Sequence, residues 1–184
     1  GSTARNIIEM SKRLATHTLD LANHRGPEAK SSKDHTIRMS EVGEPCIRKL
    51  IHKWYLPVYG TPPYSENPNP TLPVKFVFGD YMEELVLFLA QEAGHKVTNR
   101  QGEVINEMSF TDWKAIGHID AMIDDYVVDV KSAADVSFQK YKREGLTEDN
   151  DTFGYRFQLD SYSIATGNHK RAFIFINKHD GELL

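Results

Sequence analysis

GHIDAMIDDYVVDVKS, residues 117–132, decides how the rest of the chain is read. Two short apolar-rich runs, 115–123 and 126–130, flank Asp124-Asp125, a pair suited to a tight turn. The stretch predicts a β-hairpin with Asp120 on its first strand and Asp129 and Lys131 on its second. Side chains two apart on a strand share a face, so Asp129 and Lys131 point the same way and pairing brings Asp120 beside them. Two carboxylates converging with an amine are costly, because like charges repel and lysine is seldom buried without a partner. A divalent cation resolves the conflict. Magnesium takes oxygen ligands from one or two carboxylates, waters and phosphates, and the lysine is then placed to hold or deprotonate an attacking water. Alone, Asp-x-Lys is so common that a surface hairpin with an ion pair is the default. The context reverses that preference.

Upstream, the apolar-rich residues 75–93 predict a long helix, stopped by Gly94. Short extended segments follow near 96–98, 102–109 and 114–123, then 126–131. Downstream come a helix around 134–143, the polar loop GLTEDNDT, a helix near 152–166 ending at Gly167, and the strand RAFIFIN at 171–177. Toward the N-terminus, residues 4–23 have helical spacing, 24–38 read as a polar loop, and 44–56 predict a helix with Ile47, Leu50, Ile51 and Trp54 as its apolar stripe. Residues 57–73 hold six of the eight prolines and form a non-regular loop, a cover or a flap. Helices, a strand meander, then helix, helix and strand make a mixed α/β (α+β) fold, with a central mixed sheet flanked by helices.

The 184 residues suit one domain with ample chain for a core. Gly1-Ser2 reads as a cloning remnant, and the abrupt HDGELL ending suggests that the native chain continues. No apolar run is long enough to span a membrane and no signal-peptide pattern is present, so we expect an intracellular protein without a membrane partner. Cys46 is the single cysteine, which excludes an intramolecular disulfide and a cysteine-ligated cluster within one chain. The net charge of −4 does not advertise nucleic-acid binding, but it is unevenly spread: residues 1–60 carry a net +4 and the remainder −8. No P-loop, dinucleotide fingerprint, H-E-x-x-H or G-x-S-x-G motif is present.

Four pieces line up in order: GDYMEE at 79–84 on a helix, Asp120 on a strand, Asp129-x-Lys131 on the next strand, and QLDSY at 158–162 on a late helix, where Gln158 and Tyr162 share a face. Each piece is weak alone, but the order and spacing together resemble the PD-(D/E)XK nuclease superfamily, in particular its RecB-type and phage lambda-exonuclease-type members. The resemblance covers roughly residues 40–177, with 1–38 as an N-terminal helix and loop. It implies a restriction-endonuclease-like core, and Gly117–Asp120 repeats the family's G-x-x-D form.

What the resemblance implies is specific. Asp120 and Asp129 would ligate Mg²⁺ or Mn²⁺, with the main-chain carbonyl of Val130 completing the protein ligands. Lys131 would activate or orient the attacking water. Glu83, four after Gly79, is the expected helix carboxylate and Glu84 the fallback; adjacent residues point about 100° apart on a helix, so one can face the site while the other is solvated. Gln158 would support the site or the scissile phosphate, and Tyr162 would pack or contact nucleic acid. His118, two before Asp120, is either a ligand or a hydrogen-bonded neighbour. Some RecB-type nucleases place a cysteine of an iron–sulfur cluster near Cys46, but the three downstream cysteines are absent here, so no cluster is expected. Arg48 is either a phosphate contact or the ion-pair partner of Glu44, and Lys140, with Lys142 and Arg143, either guides backbone phosphates or forms a solvated basic face. The implied activity is metal-dependent hydrolysis of DNA, as an exonuclease in recombination, repair or replication, with homo-oligomers or other DNA-processing proteins as partners. A structure-selective endonuclease and a non-catalytic DNA-binding module are the alternatives.

Overall fold

The hairpin forms where the sequence predicts it. In the computed structural model, which describes residues 35–55, 72–107 and 112–184, Ile123 faces Tyr126 across the Asp124-Asp125 turn, with Asp124 at φ 52°. The predicted segment 114–123 is two strands. In chain order the strands are β1 (Thr36–Arg38), β2 (Val97–Thr98), β3 (Gly102–Glu107), β4 (Lys114–Ile119), β5 (Ala121–Ile123), β6 (Tyr126–Ala133) and β7 (Arg171–Asn177). The helices are α1 (Ile47–Leu50), α2 (Leu72–Glu92), α3 (Asp135–Glu144) and α4 (Tyr155–Thr166).

Hydrogen bonding divides the strands into two mixed sheets, ordered β1-β4-β3 and β2-β5-β6-β7. The division falls at Asp120, between β4 and β5. Its carboxylate Oδ2 accepts the Val130 N–H at 2.6 Å, so a side chain occupies the donor that a continuous ladder would have used. β6 is interior, antiparallel to β5 and parallel to β7. Val127, Val128, Asp129 and Val130 are all buried, because helices cover both faces of this strand. On one side Val128, Val130 and Ile176 pack with Val86 and Leu87 of α2. On the other, Val127 packs with Leu159 and Tyr162 of α4 and with Met39. A third apolar cluster joins Phe138 and Tyr141 of α3 to Phe175 of β7. The fold is therefore mixed α/β, with mixed sheets flanked by helices.

Helix ends follow local chemistry. α2 ends at Gly94 (φ 96°), where the His95 N–H reaches the Ala90 carbonyl at 3.0 Å. α4 begins at Tyr155 rather than 152, because both oxygens of Asp151 accept first-turn N–H groups, from Tyr155 and Arg156, each at 2.9 Å. Gly167 (φ 65°) ends it, as expected.

Some sequence expectations shift. The helix expected over 44–56 is one α-turn, α1, running into a π-helical turn over Ile51–Tyr55. The expected loop 24–38 ends in a strand, β1, which pairs in parallel with β4. Leu72 and Pro73, placed in the Pro-rich loop, open α2, where a proline lacks no needed N–H. The expected helix 4–23 and residues 57–71 of the Pro-rich loop lie outside the described residues. No described helix is long and apolar enough to cross a membrane.

Candidate active site

The β5–β6 register, with Ala121 opposite Val128 and Ile123 opposite Tyr126, runs on to set Asp120 across from Asp129. Asp129 is 1% exposed. Its Oδ1 accepts no hydrogen bond, and its Oδ2 has the Lys131 ammonium at 2.7 Å as an ion pair. Lys131, two residues on and on the same strand face, is itself largely covered. The grouping of Asp120, Asp129 and Lys131 is thus as the hairpin implied.

Burial of this group has electrostatic consequences. Desolvation raises the Asp129 carboxyl above its ordinary range, against the pull of Lys131. Desolvation also holds Asp120 well above its ordinary value, and the charges of Asp129 and Glu83 add to the effect. Burial works against charge on Lys131 as well, but Asp129 and Asp120 outweigh it and raise its pKa, so Lys131 is an ammonium.

Glu83 comes from α2. Burial pushes its carboxyl up to about 7, with Glu84, Asp80 and Asp129 contributing. The adjacent glutamates have different partners: Glu84 is paired with Arg100 at 3.0 Å, whereas Glu83 interacts electrostatically with Asp120 and Asp129. Gln101 ties the two sides together, and nothing in its local pattern announced it. Its side chain donates to Glu83 Oε1 at 2.6 Å, and its backbone N–H donates to the Asp120 carbonyl at 3.1 Å. It does so from φ 50°, a left-handed conformation uncommon for a residue with a side chain.

From α4, the buried Gln158 donates through Nε2 to Tyr162 Oη at 2.7 Å. Burial raises the Tyr162 hydroxyl to about 12, and the charges of Asp129, Lys131 and Asp120 all reach it. Gly117 makes this approach possible, because a Cβ there would stand 2.6 Å from Tyr162 Cε1. Tyr155, also unanticipated, lies with its ring 5.1 Å from Lys131 Nζ.

Other expected residues stand apart from this group. His118 is half exposed and faces Glu103 of β3, with Nε2 3.8 Å from Oε2, which removes it from the set of cation ligands. The physical reason is that β4 pairs with β3 while the strand beyond Asp120 joins the other sheet. Arg48 and Lys140 are exposed. The ion pair suggested for Arg48 is instead made by Lys49, whose Nζ is 3.1 Å from Glu44. Lys142 pairs with Glu182 and Arg143 with Glu144. Cys46 is a free, exposed thiol.

Among the described residues, no three or more His, Cys, Asp or Glu side chains stand close enough to enclose a cation by themselves. Magnesium does not require such a cage, since one or two carboxylates with waters suffice. The unpartnered Asp129 Oδ1, buried beside Asp120, fits a hard cation.

No protein-family model and no curated protein matches this chain. The solved crystal structure of SSO0001 aligns over 95% of this chain and 75% of its own, with a TM-score of 0.53 and 16% identity. At that identity the likeness is one of fold, and it accords with a mixed α/β core whose mixed sheets are flanked by helices.

Proposed function

We propose that this protein is a Mg²⁺- or Mn²⁺-dependent deoxyribonuclease with a restriction-endonuclease-like core, acting as an exonuclease on DNA ends in recombination, repair or replication. The observation that carries this reading is Asp129: a carboxylate on an interior strand, with one oxygen lacking any donor and with Asp120 and Lys131 beside it. Such a group is expensive to bury for structural purposes alone. The family resemblance supplies the choice of DNA and of exonuclease action.

A bound divalent cation would be held by Asp120 and Asp129, with the Val130 carbonyl and waters and with the Glu83 charge nearby, and would supply Lewis acidity and charge neutralisation at the phosphate. The chain's residues do the rest. Lys131 enters as an ammonium and orients the attacking water by hydrogen bonding. Gln101 fixes one oxygen of the Glu83 carboxylate by donating to it. Gln158 and Tyr162, locked to one another, form a fixed polar wall.

The test is digestion of end-labelled linear and covalently closed circular DNA with Mg²⁺, comparing wild type with Lys131→Ala and with an EDTA control. Cleavage of linear DNA alone, lost in the variant, is expected. Cutting of closed circles would instead make the protein a structure-selective endonuclease. Binding without cleavage by the wild type would make it a non-catalytic module, and full activity in Lys131→Ala would overturn the site assignment.

A further inference from the structure

Next to the candidate site the protein leaves large aromatic rings in solvent. Phe153 is 65% exposed and Phe157 58%. Phe153 does not hang freely: its ring stacks on Tyr155 at 5.3 Å between centroids and 23° between planes. Tyr155 in turn packs against the cluster of Phe138, Tyr141 and Phe175, and it lies 5.1 Å from the Lys131 ammonium. The loop beneath is held firmly. Asp151 accepts the Tyr155 N–H, and Gly154, at φ 71°, lies so close to Gly43 that an added Cβ would come within 2.5 Å of the Gly43 Cα. One face of Phe153 is thus covered by a fixed neighbour while most of the ring stays open.

We propose that Phe153 and Tyr155 form a stacking platform for an unpaired nucleobase beside Lys131. The assignment of the ligand as nucleic acid rests on the nuclease reading above. A flat, preordered, half-covered ring is what a base needs, and stacking tolerates any base because each has a π-face. A base inside a duplex has both faces already stacked, so the platform takes only a single-stranded or frayed nucleotide. Phe153 lies two ring contacts from Lys131, a separation that one or two nucleotides bridge. The loop's Glu148 and Asp149, both exposed, repel phosphates and turn the strand's bases, not its backbone, toward the rings.

The test measures binding without cleavage. Fluorescence anisotropy in EDTA would compare wild type, Phe153→Ala and Phe153→Trp on three labelled probes: a single-stranded oligonucleotide, the same length of abasic strand, and a blunt duplex. The wild type should favour the base-containing single strand over the abasic one. Phe153→Ala should weaken single-strand binding about tenfold, as loss of one stacked base does, with duplex and abasic binding unchanged, and Phe153→Trp should retain it. Equal affinity of the wild type for abasic and base-containing strands, no binding at all, or an equal loss on every probe in Phe153→Ala would overturn the platform. So would unchanged binding in Phe153→Ala accompanied by loss of self-association in sedimentation, which would make the rings a contact between copies. Because cleavage plays no part, a failed nuclease assay with a positive base-dependent result would remove the catalytic reading and leave the platform standing.

Discussion

The carboxylate of Asp120 accepts the backbone N–H of Val130 at 2.6 Å. This bond spans the hairpin at the point where β5 begins, and it holds one acidic group opposite another, Asp129, on the neighbouring strand. Like charges are normally kept apart in an interior. Here the backbone enforces the approach, and the Lys131 ammonium, with the Val130 N–H on Asp120, offsets it.

Removing that offset should be felt in stability as well as activity. Lys131→Ala leaves Asp129 buried without a counter-charge, which typically costs on the order of 3 kcal/mol. We expect a lower melting temperature in EDTA, substantially recovered by Mg²⁺ or Ca²⁺, while cleavage stays absent. A thermal melt indifferent to divalent cations in both wild type and variant would argue against a cation at this site.

Stability should also depend on pH. Glu83 is raised from 4.5 to about 7 in the fold, and Asp120 and Asp129 are raised as well, all chiefly by burial. A carboxyl with a raised folded pKa binds its proton more tightly folded than unfolded, so the cation-free protein loses stability as pH climbs from the unfolded values through about 7. Cations compete with those protons, so stabilisation by Mg²⁺ should grow over the same interval. Melting curves between pH 5 and pH 8, with and without Mg²⁺, check both trends; a flat EDTA profile would contradict them.

Gln101 stabilises the charged form of Glu83 by donating to it. In Gln101→Ala that donor is gone, and the Glu83 carboxyl should titrate higher still. The pH–activity profile should move to higher pH, with the plateau at alkaline pH much less affected. An unshifted profile with a uniformly lower rate would assign Gln101 a purely structural part.

Gly117→Ala should be harmful although only a methyl is added. The new Cβ would meet Tyr162 Cε1 at 2.6 Å and Met39 Cβ at 3.0 Å, both in the buried core. Overpacking of this kind costs about 1–3 kcal/mol, and it would displace Tyr162 from Gln158. Denaturant unfolding should show the loss, and Gly79→Ala, with nothing within 4 Å of its added Cβ, serves as a tolerated control.

The local pattern of the chain was enough to place the Asp124-Asp125 turn, β6, β7, the long helix stopped by Gly94 and the late helix stopped by Gly167. Each depends on residues near one another in sequence: period-two alternation, a turn pair, a left-handed glycine. The same logic set Lys131 beside Asp129, since two residues on a strand must share a face. Tertiary structure alone decided the rest. That Asp129 is interior follows from helices packing on both faces of β6, and alternation cannot tell a covered face from a wet one. The break at Asp120 exists because a side chain captured Val130 N–H, Arg100 paired with Glu84 and left Glu83 to interact with Asp120 and Asp129, and β1 acquired its strand by pairing with β4, far along the chain. Gln101 and Tyr155 joined the site through contacts with residues distant in sequence, and such contacts leave no trace in local periodicity.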